Sequence, residues 1–195
     1  MDRRMLLMLA PAGVLAAGLA GAAAWMGTRP AGEAGTAIGG PFRLQGGDGK
    51  VVTDADFRGR WMLVYFGYTR CPDACPTALQ DMANALDGLT AAERAKVAAL
   101  FITVDPERDT PAVVQDYVRA FNAPISGLSG TPEQVAAAAK AYRVYYAKHP
   151  RTDGDYEMDH SSIIYVMDPK GAFVANFTHE TPPDAIAAKL RTLVG

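Results

Sequence analysis

The 195-residue chain has little cysteine, little histidine, few aromatic residues and almost no net charge. Two cysteines are too few for the disulfide framework of a small secreted scaffold. A formal charge of −2 offers no basic surface for nucleic acid. Beyond the two cysteines there is no second Cys or His pair at close spacing, so the four-ligand zinc pattern is missing. There is no internal repeat, and no low-complexity run outside the N-terminus. What remains is ordinary: 21% charged residues and enough length for one domain with a core plus an appendage.

The appendage is at the start. Arg3 and Arg4 precede an uncharged run from Met5 to Gly27, long enough to cross a bilayer as a helix. A cleaved signal peptide ending near Ala22-Ala23-Ala24 is one reading. The length of the run and Trp25 near its end favour a retained signal anchor over residues 1–27. Arg3 and Arg4 then stay in the cytoplasm, and the rest of the chain is exported. No Ser- and Arg-rich amphipathic presequence is present, so the expected membrane is a bacterial inner membrane, crossed once, with the C-terminal domain in the periplasm. Residues 28–40, rich in Gly, Ala and Pro, read as a flexible tether. The domain proper is expected over 41–195.

Within it, residues 41–45 and 51–53 read as short strands around the turn Gly46-Gly47-Asp48-Gly49. Trp61 to Phe66 and Ala98 to Val104 are apolar runs suited to strands buried on both faces. Helices are expected over 76–89, after Thr110-Pro111, after Thr131-Pro132, and from Thr181 to about Val194. Thr90 with Glu93 resembles a capping box. Val144 to Ala147 reads as a short strand, Lys148 to Asp159 as a polar loop, and 162–167 with 172–177 as paired strands. Strands alternating with helices give an α/β fold with a mixed central sheet and helices on both faces. Sites in such sheets gather at the carboxyl ends of strands, where the cysteines and Asp105 both fall.

Cys71 and Cys75 follow the apolar strand and precede a helical pattern. Proline is best tolerated at the first helical position, which puts Pro76 there and Cys75 at the N-cap. A thiolate at Cys75 then faces unsatisfied backbone donors and the positive helix end, so its pKa should fall. An inert structural disulfide or a pair of buried thiols is the plainer alternative, and the strand-to-helix junction speaks against it. Three residues separate the cysteines, against two in thioredoxin-type oxidoreductases. Two thiolates and one further ligand suit a low-coordinate soft ion, with copper(I) the leading candidate. His149 and His179 read as solvated loop residues. His160, at a strand entrance with Asp159 beside it as an orienting carboxylate, is the candidate third ligand. Met158 is an alternative soft ligand, though methionine more often fills core.

The stretch Tyr65 to Pro76, together with Asp105 to Thr110, Tyr142 to Tyr146 and Asp155 to Ser161, resembles the signature of the Sco/SenC family of copper chaperones. The likeness runs in order through about residues 40–194. It implies a thioredoxin-like fold, a membrane anchor and one copper, as Cu(I) or Cu(II), held by Cys71, Cys75 and His160. It also implies a role in assembling the dinuclear copper centre of cytochrome c oxidase, by delivering copper or by keeping the acceptor cysteines reduced. The implied partner is the copper-bearing oxidase subunit, with another periplasmic copper chaperone or a thioredoxin-like reductase as further candidates. Ala74 and Met158 stand where the family often has Val. The rival function is a metal-independent thiol-disulfide oxidoreductase in which Cys71 and Cys75 close into a disulfide when oxidised. A peroxidase is disfavoured, because the expected Thr and Cys arrangement is not evident.

Overall fold

The computed structural model describes residues 37–178 and 180–195. The expected anchor and His179 lie outside them, as does most of the tether. Among the described residues no helix is long and apolar enough to cross a membrane. The last residues assigned to the tether belong to the domain: the Gly39 N–H donates to the Ala141 carbonyl (2.9 Å), and Ile38 packs on the core.

Among the described residues nine strands run in chain order: β1 (Arg43–Gly46), β2 (Val51–Thr53), β3 (Trp61–Gly67), β4 (Val97–Thr103), β5 (Ile125–Ser129), β6 (Tyr146–Pro150), β7 (Tyr156–His160), β8 (Ile163–Met167) and β9 (Phe173–Thr178). Seven form one sheet in the order β2-β1-β5-β4-β3-β8-β9. Strands β3, β4 and β5 are parallel neighbours; β8 is antiparallel to β3, and β9 to β8. Every residue of β4 is buried, as is every residue of β3 after Trp61, which requires cover on both faces.

The helices supply that cover. They are α1 (Ala74–Asp87), α2 (Ala91–Arg94), α3 (Pro111–Arg119), α4 (Pro132–Ala141) and α5 (Pro183–Val194). Tyr65 of β3 is in register with Phe101 of β4, and Phe101 meets Tyr117 of α3 at 5.6 Å between ring centroids. Phe66, on the opposite face, meets Tyr142 at the end of α4 at 5.3 Å. Helices α3 and α4 therefore cover opposite faces, and α5 packs along α1. The expected caps form: the hydroxyls of Thr90, Thr110 and Thr131 each accept the backbone N–H three residues on. Each cap contributes about 1 kcal/mol.

Two expectations fail. The segment read as a polar loop is a hairpin: β6 pairs antiparallel with β7 in a sheet of its own, from Tyr146 opposite His160 to Pro150 opposite Tyr156. Most of its side chains are exposed or half-buried, so no alternating apolar face marks it in the sequence. The helix after the cysteines also starts earlier than proline placement predicts. Asp73 is the N-cap, so Cys75 and Pro76 occupy its second and third positions. A proline fits there too, because none of the first N–H groups has an intrahelical partner.

Candidate metal centre

Strand β3 ends at Gly67, and the chain turns through Tyr68 to Asp73 before α1 begins. The turn is braced from β4. Thr69 donates its N–H to Asp109 Oδ2 (2.9 Å) and its hydroxyl to Asp109 Oδ1 (2.6 Å). The Thr103 hydroxyl donates to Asp109 Oδ2 at 2.7 Å. Asp109 is buried, and burial raises its pKa against these hydrogen bonds. In the sequence Asp105 and Asp109 read more plainly as a turn residue and a pre-helix residue than as a shell around the site, and nothing local pointed to these partners.

The turn puts Cys71 and Cys75 one helical turn apart. Cys75 is fully buried, whereas Cys71 is partly open to solvent. The Cys75 backbone N–H donates to Cys71 Sγ at 3.4 Å, so the first cysteine takes the place of a capping side chain, and Asp73 makes no side-chain cap. The stabilised thiolate is therefore Cys71, not Cys75 as the N-cap reading predicts. The Cys75 thiol donating to it, then His160 and the N–H groups of Asp73 and Cys75, hold the Cys71 thiol far below its ordinary value, at about 3. Cys75 moves the other way, because its proton serves Cys71 and its burial disfavours a second charge. The reduced pair behaves as one thiolate and one thiol sharing a proton.

Space for the Cys75 sulfur comes from Gly67. A Cβ at that position would stand 2.5 Å from Cys75 Sγ, 3.0 Å from Phe101 Cε2 and 3.1 Å from Tyr65 Cε1. The Tyr65 hydroxyl lies 3.9 Å from Cys75 Sγ on the other side. A glycine closing a buried strand just before the dithiol was the available signal for this role.

His160 comes from the end of β7, immediately before β8 pairs with β3. Its Nε2 lies 3.4 Å from Cys75 Sγ across 85 residues of chain. Its Nδ1 faces the Ser161 carbonyl at 3.3 Å, an acceptor for an Nδ1 proton when Nε2 gives its lone pair to an ion. Tyr65 and Tyr68 meet the imidazole edge-on, at 6.0 and 5.8 Å between centroids, and fix its plane.

Asp159 does not orient His160. Successive side chains of a strand point to opposite faces, and the Asp159 carboxylate stands outward, 2.9 Å from Nε2 of the exposed His149. Met158 points inward and is buried, part of the core beside the site.

One ligand atom each from Cys71, Cys75 and His160 lies within 4.8 Å of the other two. Three donors bonded to one ion at about 2.0–2.3 Å in a trigonal plane stand roughly 3.5–4 Å apart, so slight contraction suffices. Two sulfurs and an imidazole form a soft donor set suited to copper, and among the described residues no other group of this kind brings three such side chains together.

The comparisons with known proteins agree with this geometry. The SCO1/SenC family model matches residues 30–195. The chain is similar to an Arabidopsis thaliana mitochondrial SCO1 homologue, 46% identical over 138 residues, covering 71% of this chain and 41% of that protein. It is similar to the human mitochondrial SCO1 homologue, 41% identical over 157 residues, covering 80% of this chain and 52% of that protein. The chain thus spans about half the length of these curated relatives. The structure of Bradyrhizobium japonicum ScoI with copper bound superposes with a TM-score of 0.75 at 46% identity, covering 80% of this chain and 99% of that one. A mixed-sheet fold, two cysteines and a distant histidine brought together, and a family match over most of the sequence lead to one conclusion: the chain belongs to the SCO1/SenC family.

Proposed function

We propose that the protein is a metallochaperone that carries one copper on Cys71, Cys75 and His160, and that it serves the assembly of the dinuclear copper centre of cytochrome c oxidase. The observation that supports this most is the convergence of the three ligand atoms, with Cys71 on the outward side. Copper is cargo here. Incoming Cu(I) meets the Cys71 thiolate first. Cys75 then gives up the shared proton, and neutral His160 closes the set through Nε2. A partner's cysteine approaches from the Cys71 side and exchanges ligands stepwise, so the ion is handed over without being released to water. Cu(II) takes the same three donors with an added water or other ligand. The partner we infer is the copper-bearing oxidase subunit. Residues 1–27 would hold the domain at the periplasmic face of a bacterial inner membrane.

A second role is favoured by the asymmetry of the dithiol. A partly open thiolate at Cys71 beside a buried thiol at Cys75 suits attack on a partner disulfide, followed by closure of a Cys71–Cys75 disulfide. The partner cystine gains two electrons and leaves as two thiols, while the protein's dithiol loses two. The chaperone can thereby ready its acceptor's cysteines before loading them.

The test is copper binding to the reduced full chain and to its His160→Ala variant. One Cu(II) per reduced monomer is expected, with a sulfur-to-copper charge-transfer band that weakens or shifts in the variant, and none on the oxidised protein. Unchanged Cu(II) affinity and spectra in His160→Ala would remove the third ligand from the proposal. Reduction of an oxidised acceptor peptide with no copper ever retained would favour the oxidoreductase alone.

A further inference from the structure

The hairpin β6–β7 delivers His160, yet it is a two-stranded ribbon outside the main sheet. Such a ribbon is marginally stable in water on its own, so something must hold it. The hold is a cluster at its tip. The ring of Tyr156 lies between two cations: the Arg108 guanidinium carbon is 3.6 Å from the ring centroid, and Lys148 Nζ is 3.8 Å from it. The Tyr156 hydroxyl donates to Asp105 Oδ1 at 2.7 Å. Arg108 donates Nε to Asp105 Oδ2 (2.5 Å) and Nη1 to both the Tyr156 carbonyl (2.9 Å) and Asp155 Oδ1 (2.8 Å). Lys148 also pairs with Glu107 at 2.6 Å, and Arg70 of the dithiol turn reaches Asp155 at 3.5 Å.

Two features separate this cluster from an ordinary set of surface ion pairs. The Asp105 and Arg108 side chains are only 3% and 11% exposed, so their bond is made away from water. Every member bridges the hairpin to the loop at the carboxyl end of β4 or to the turn that carries Cys71. Tyr156, Met158 and His160 share one face of β7 by strand alternation. Tyr156 is fixed by the cations and Asp105, Met158 is buried against the core, and His160 enters the site. His160 is four residues from Tyr156, about 13 Å at the rise of an extended strand. The clamp therefore touches none of the ligands.

We infer that Tyr156, held between Arg108 and Lys148 and bonded to Asp105, is the positioning residue that sets the reach of His160 toward the two sulfurs. This rests on the proposed role of His160 as third ligand. Soft Cu(I) draws most of its binding from the two thiolates, with the imidazole as a weaker third donor, whereas Cu(II) favours nitrogen more, so the clamp acts mainly on Cu(II). Opening the clamp turns a three-ligand site into a two-sulfur site without altering any ligand.

The test compares the full chain with Tyr156→Ala, Tyr156→Phe, Lys148→Met and His160→Ala, each titrated with Cu(I) and Cu(II). Tyr156→Ala should weaken Cu(II) by about 10- to 100-fold, the range for residues that orient metal ligands. It should also reduce the nitrogen hyperfine structure in the Cu(II) electron paramagnetic resonance spectrum, with Cu(I) binding nearly unchanged. Tyr156→Phe keeps the ring between the cations and should recover most of the loss. Lys148→Met leaves the buried Asp105–Arg108 bond intact and should still weaken Cu(II) by about 2- to 5-fold, so the inference stands or falls even if Tyr156→Ala fails to fold. If His160→Ala abolishes the nitrogen signal while Tyr156→Ala and Lys148→Met keep wild-type Cu(II) affinity and spectra, the clamp inference is overturned and the ligand assignment survives. If His160→Ala itself changes nothing, the ligand assignment fails, and the clamp inference goes with it.

Discussion

Gly67→Ala tests the packing beneath the site. The added methyl would stand 2.5 Å from Cys75 Sγ, with Phe101 Cε2 and Tyr65 Cε1 at 3.0 and 3.1 Å. Optimal heavy-atom contacts lie near 3.5–4.0 Å, so the sulfur must retreat by about 1 Å and the two rings by about 0.5 Å. None has free space: Cys75, Phe101 and Tyr65 are all essentially buried, and the Tyr65 hydroxyl stands 3.9 Å from the same sulfur. Overpacking of this kind costs about 1–3 kcal/mol. For a domain of this size each kcal/mol lowers Tm by about 2–4 °C, so a fall of about 2–12 °C is expected by calorimetry on the apo protein. Copper binding should suffer more than the fold, because the displaced atom is one of the three proposed ligands. A double-mutant cycle isolates the cause: in a Cys75→Ala background the closest clash is gone, and Gly67→Ala should cost about 1 kcal/mol less. An equal cost in both backgrounds would show that the sulfur is not what the glycine accommodates.

Three further outcomes follow from the site. With the Cys71 thiol held low and the Cys75 thiol pushed up, Cu(I) loading near neutral pH should release about one proton per copper rather than two, read by calorimetry in buffers of different ionisation enthalpy. In the same neutral range a limiting alkylating reagent should mark Cys71 and spare Cys75, and equal labelling by mass spectrometry would contradict the shared-proton description. Asp109→Ala leaves Thr69 and Thr103 without their acceptor and should cost about 2–4 kcal/mol in denaturant unfolding, with the dithiol turn loosened; a loss below 0.5 kcal/mol would show that the brace is dispensable.

The site was legible in the sequence to the extent that it uses scarce residue types. Cys71, Cys75 and His160 stood out because the chain has so few of either kind, and the structure brings them together. The buried strands and threonine caps were legible because their signals are local. The hairpin was not, because a strand is recognised by an apolar face and β6–β7 largely lacks one. Asp159 misled for a related reason: a neighbour in sequence is on the far face of a strand, and its carboxylate went to His149. Cys75 misled because proline is tolerated anywhere in the first helical turn, so Pro76 located the start only to within two residues. Asp105 and Asp109 were opaque because their partners lie far along the chain: Tyr156 is 51 residues from Asp105, and Thr69 is 40 from Asp109.

The pairing of β8 with β3 has a consequence for the order of events in the cell. The imidazole reaches the sulfurs only when a strand more than 85 residues downstream has closed against the one that leads into the dithiol turn. A chain emerging from the ribosome, N-terminus first, presents the cysteines alone. Copper met at that stage finds two sulfurs with no imidazole, and the proposed three-donor set exists only once synthesis has passed β8, at Ile163–Met167. Tight loading with Cu(II) is therefore a readout of finished folding.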